Sequence, residues 1–110
     1  MGTKIPAHLQ PGVTALKAGN KTEARRLLGE AMISHPNDGD GWLLLYYSTD
    51  DPKYKLACLK NAARINPNNS KIKAELKQML ATGQPSADDR DITDSVIGRF
   101  GVKHKTWDSA

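Results

Sequence analysis

Ala24-Arg25-Arg26-Leu27-Leu28, followed by Ala31 and Pro36, aligns with Lys55-Leu56-Ala57-Cys58-Leu59, followed by Ala62 and Pro67. Every matched position is 31 residues from its counterpart. Units repeating at this period leave an apolar face that only a neighbour can cover, so the repetition itself implies stacking. In the first segment Ala24, Leu27, Leu28, Ala31 and Met32 recur with the 3.6-residue period of a buried helical stripe. In the second, Leu56, Leu59 and Ala63 make one stripe, and Lys53, Lys60 and Arg64 make another. Small residues at Ala24, Ala31 and Ala62 let neighbouring helices approach closely.

Proline, glycine and asparagine punctuate the chain outward from this pair. Pro11 suits a first helical turn and Gly19-Asn20 a stop, which predicts a helix over residues 11–18. Thr22 is the expected N-cap of a second helix, from Glu23 to Ser34, which the turn Pro36-Asn37-Asp38-Gly39 ends. Trp42-Leu43-Leu44-Leu45-Tyr46-Tyr47 shows no alternation and lacks β-branched residues, so residues 41–48 read as a buried helix with Trp42 as the main large anchor. Asp51 as N-cap and Pro52 at the first position predict a helix to Ile65. Asn66-Pro67-Asn68-Asn69 closes it, and Asn69 or Ser70 caps a last helix to Ala81 with Ile72, Leu76, Met79 and Leu80 inward. Nothing reads as a strand. The expected fold class is all-α, with antiparallel helix hairpins stacked side by side.

A chain of 110 residues with 38% apolar and 5% aromatic content allows one domain with a thin core. The expected organisation is an N-terminal arm over 1–10, the repeat domain over 11–81, and a linker and tail over 82–110. Gln84-Pro85-Ser86-Ala87-Asp88-Asp89 has linker composition. Beyond it Ile92, Val96, Ile97 and Phe100 have the spacing of one amphipathic face. Residues 92–100 are therefore expected to dock, either on the chain's own groove or on a partner subunit. No apolar run reaches the roughly 18 residues of a membrane helix. The opening residues lack a secretory stretch, and Pro6 stands where a myristoylation site needs Ser or Thr. Cys58 is the one cysteine, which excludes an internal disulfide and suits a reducing compartment, so a cytoplasmic location is expected.

The repeated residues resemble the tetratricopeptide-type repeat (TPR-like), whose pattern is Trp-x2-Leu-Gly-x2-Tyr, then Ala-x3-Phe, then Pro. Gly12-x2-Ala15, Gly19, Ala24-x3-Leu28, Ala31 and Pro36 make the first unit. Trp42-x2-Leu45, Leu59, Ala62 and Pro67 make the second, and the helix carrying Leu76 is a half-repeat acting as a cap. The departures are Pro11 in place of a leucine, a unit shortened near Asp50, and Lys55 in place of a small residue. The resemblance implies partner binding on the inner surface made by the first helix of each hairpin. Carried over position by position, that groove is Leu9, Val13, Leu43, Tyr47, Lys71, Ala74 and Gln78. Of the clamp that family members use for an acidic C-terminus, this chain has Leu9, Val13, Leu44, Lys71 and Glu75, so Lys71 alone is kept. An apolar ligand segment is what the lining implies.

Charge sharpens the alternatives. The net charge of +4 divides into +3 over residues 1–37, −4 over 38–51, +6 over 52–77 and −1 over 78–110. Lys53, Lys60, Arg64, Lys73 and Lys77 form a basic face that could contact phosphates. Stacking aromatics do not interleave with it as single-strand recognition requires. His8, His35 and His104 stand at no metal-ligand or triad spacing, and no glycine-rich phosphate loop follows a strand. The expectation is a non-catalytic adaptor without cofactor or metal, binding another protein or a peptide segment. The alternatives are a structural subunit of a larger assembly and a basic nucleic-acid-binding protein.

Overall fold

Short polar side chains start the helices of the computed structural model, which describes residues 5–85 and 92–102. Asn20 accepts from the Glu23 backbone N–H, Asp38 from those of Asp40 and Gly41, Asp51 from that of Lys53, and Asn69 from those of Lys71 and Ile72. Each cap satisfies donors that the first helical turn leaves without an intrahelical partner. The helices they open are α2 (Lys21–Ser34), α3 (Gly39–Ser48), α4 (Pro52–Ile65) and α5 (Ser70–Thr82). Before them lies α1 (Gln10–Lys17), and after them α6 (Asp94–Arg99). The described residues are all-helical, with no strand among them.

Connections of three or four residues force consecutive helices to run antiparallel. Accordingly α1 packs on α2, α2 on α3, α3 on α4 and α4 on α5, while α6 returns to α3. The core runs through this stack as one apolar cluster, with Leu16, Leu28, Leu44, Leu59 and Ile72 each fully buried. Gly83 ends α5 in the left-handed conformation (φ 76°), the terminator that favours glycine. Gly12 answers a different need. A Cβ there would lie 2.5 Å from Leu28 Cγ, so α1 and α2 cross at a point with no room for a side chain.

Several expectations are corrected. The second helix begins at Lys21, because Asn20 rather than Thr22 reaches the third helical N–H. The third begins two residues early, at Gly39, because Asp38 caps it. Residues 5–10 are not a free arm: Leu9 is fully buried and Gln10 opens α1. Trp42 is only half-buried, since its indole Nε1 donates to the Pro36 carbonyl (2.8 Å) and holds the ring at the rim. Tyr46, one turn on, is the large buried aromatic. Leu80 is 61% exposed, because among the described residues the main packing on α5 comes from α4, and the buried face of α5 is that of Ile72, Glu75 and Met79.

The two glycines predict opposite responses. Gly12→Ala should lower stability by about 1–3 kcal/mol through overpacking against Leu28. Gly98→Ala, where a Cβ meets nothing within 4 Å, should raise it by about 0.5–1 kcal/mol through helix propensity. Urea unfolding of both variants checks the assignment, and equal effects would contradict it.

Candidate interaction surface

The seven positions of the expected groove do not form one open surface. Leu9, Val13 and Leu43 are 0%, 1% and 5% exposed and belong to the core. Tyr47 is half-buried, whereas Lys71, Ala74 and Gln78 on α5 are exposed. Leu9, Val13 and Leu43 are thus closed to a partner, Tyr47 is half covered, and the α5 positions are exposed.

Ile92, Val96, Ile97 and Phe100, the spaced residues of the tail, are all buried in the same apolar cluster as α1 to α5. Val102, which lay outside the expected docking segment, joins them. Its backbone N–H donates to the Ile97 carbonyl (2.7 Å), turning the chain back after Gly101. A polar contact fixes where the segment sits. Arg99 Nη2 donates to Asp40 Oδ2 on α3 (2.6 Å). Burial raises the Asp40 carboxyl above its ordinary range; Arg99 opposes that shift and the Asp38 charge reinforces it.

A polar connection ties the last three helices of the stack together. The buried Lys55 ammonium donates to the Tyr46 carbonyl (2.9 Å) and lies 4.1 Å from the centroid of the same residue's ring. The Tyr46 hydroxyl in turn donates to Glu75 Oε2 (3.3 Å). Lys55, the departure from a small residue in the repeat pattern, therefore reaches across from α4 to α3. Glu75 is buried within the stack.

The basic stripe divides. Lys53, Lys60, Lys73 and Lys77 are exposed, and none pairs with a carboxylate among the described residues. Arg64 is drawn away: it donates to Asn37 Oδ1 (3.3 Å) and to the Pro36 carbonyl (3.4 Å), bracing the α2–α3 connection. Between the start of α4 and the end of α5 lies a groove of about 400 Å³ lined by Asp51, Pro52, Lys53, Leu56, Met79, Gly83 and Gln84. Sequence reasoning missed this groove. Leu56 and Met79 stand on the apolar stripes of their helices, and no local pattern says that a groove lies between them.

Reactive groups are few. Cys58 is fully buried, and burial pushes its thiol up to about 12. His8 and His35, far apart in sequence, stack with ring centroids 3.8 Å apart, and His8 Nε2 lies 2.6 Å from Asp38 Oδ2. These contacts fasten the segment before α1 to the α2–α3 turn. Among the described residues no group of three or more His, Cys, Asp or Glu could hold a metal ion, and no helix is long and apolar enough to cross a membrane. No family model, curated protein or solved structure matches the chain.

Two outcomes follow from this placement. Phe100→Ala should cost roughly 3 kcal/mol, read by urea unfolding, because it empties a site inside the shared core. A change under about 0.5 kcal/mol, the range of a surface substitution, would contradict that burial. Cys58 should resist iodoacetamide in the folded protein. With its thiol near 12, only about one molecule in ten thousand carries the thiolate at pH 8. Labelling should therefore track unfolding, and rapid labelling without denaturant would contradict the assignment.

Proposed function

We propose that this chain is a non-catalytic protein–protein interaction module, TPR-like in architecture, that presents its last hairpin to another protein. The observation carrying this reading is the unequal coverage of the stack. On the α3 side the chain supplies its own cover, α6, with five buried apolar residues over 92–102. On the α4–α5 side a groove lined by Leu56 and Met79 stands uncovered among the described residues, and α5 also carries the exposed Leu80. Repeat stacks expose such a face where a further unit or a partner belongs. Apolar surface rimmed by polar residues is the usual mark of a contact site.

The partner-binding surface in this reading is the terminal hairpin, together with the exposed Lys71, Ala74 and Gln78 of α5. Placing a photo-crosslinking amino acid at position 80, and separately at the exposed Glu30 on α2, tests it in the source cells. A discrete protein adduct from position 80 that is absent from position 30 is the expected result. Diffuse, equal labelling from both positions would contradict an interaction role for this hairpin.

A further inference from the structure

We infer that the α4–α5 groove receives an acidic, amphipathic helical segment of another protein. The inference rests on the interaction role proposed above and adds the chemistry of its partner. Two helices present the same alternation on this side of the fold. On α4, Lys53, Leu56, Lys60 and Ala63 follow at helical spacing, and on α5, Lys73, Leu76, Lys77 and Leu80 follow at i, i+3, i+4 and i+7. Each helix therefore carries an apolar line with a lysine line beside it. Leu56 and Met79 line the groove, Leu76 is half-buried, and Leu80 is largely exposed. A helix laid into such a seam fills it with apolar residues at i and i+4 while its flanks meet the rims.

Charge selects among the possible occupants. Residues 52–77 carry +6. Lys53 lines the groove beside Asp51, and Lys60, Lys73 and Lys77 stand exposed on the same two helices. None of the four makes an ion pair among the described residues, so acidic flanks on the occupant complete the pairing. A second copy meeting the groove face to face would bring lysines against lysines. The chain's own acidic stretch, Ser86-Ala87-Asp88-Asp89-Arg90-Asp91, has no large apolar side chain with which to fill an apolar floor. The apolar segment that follows it is already seated on α3. A nucleic acid would find phosphate contacts here, but Leu56 and Met79 offer its bases no aromatic platform.

A displayed library of randomised 18-residue amphipathic helices, sorted for binding to the full 110-residue chain, tests the inference. The expected winners carry net negative charge and an apolar pair spaced by one turn. Their affinity should fall about tenfold or more for the double variant Lys53→Glu/Lys77→Glu, whose positions are exposed and outside the core. It should fall also for Leu80→Gln, and change less than about twofold for Thr14→Glu at an exposed position on α1. Neutral or basic winners, winners indifferent to the double variant, or no winners would overturn the inference. So would displacement of the winners by a single-stranded oligonucleotide, or by the chain's own dimer. The crosslinking result separates the two levels. A discrete adduct from position 80 alongside a failed selection leaves the interaction role standing and removes the acidic partner, whereas loss of both removes the role itself.

Discussion

Nearest-neighbour packing is the constraint on which the rest of this structure depends. Each helix from α1 to α5 lies on the next in sequence, so most of its cover among the described residues comes from those neighbours. In a longer stack the next unit would supply the missing cover. Here α6 does so on the α3 side. Ile92, Val96, Ile97, Phe100 and Val102 enter the core, and Arg99 closes the contact by pairing with Asp40. Burial of large apolar side chains contributes about 1.5–3 kcal/mol each before ordering costs, which is substantial for a small core.

The same constraint explains why the opposite edge differs. Among the described residues nothing packs on the outer side of α5, so Leu80 is largely exposed and Leu76 is only half covered. Internally, α5 is held by Ile72 and Met79 and by the hydrogen bond from Tyr46 to Glu75. Lys55 adds a charged link between α3 and α4. A buried ammonium is tolerated only with a carbonyl and a ring face in reach, and Tyr46 provides both. The last hairpin is thus firmly attached yet externally bare, which suits a surface offered to another molecule.

Helix positions were legible in the sequence because their signals are local. Asp51-Pro52 and Asn69 mark their helix starts as read, and the 31-residue repeat pairs α2 with α4. The spacing of Ile92, Val96, Ile97 and Phe100 was legible too, though not the helix on which the segment sits. What the sequence hid depends on which helix lies beside which. Trp42 looked like the anchor by size, but its N–H needs an acceptor and finds one at the rim. Leu80 looked inward by period, but the period cannot say that the stack ends there. Leu9 and Val13 looked like groove lining by position, but they belong to the closed side.

The claim that α6 is an integral part of this fold is tested most directly by hydrogen exchange on the monomeric protein, resolved by residue. The backbone N–H groups of Val96, Ile97, Phe100 and Val102 are hydrogen-bonded to Thr93, Val96 and Ile97 carbonyls within the docked segment. If that segment is integral, these amides exchange at least about a hundredfold more slowly than in a free peptide and lose protection together with α3. Exchange at the free-peptide rate while α2 to α5 stay protected would contradict the account.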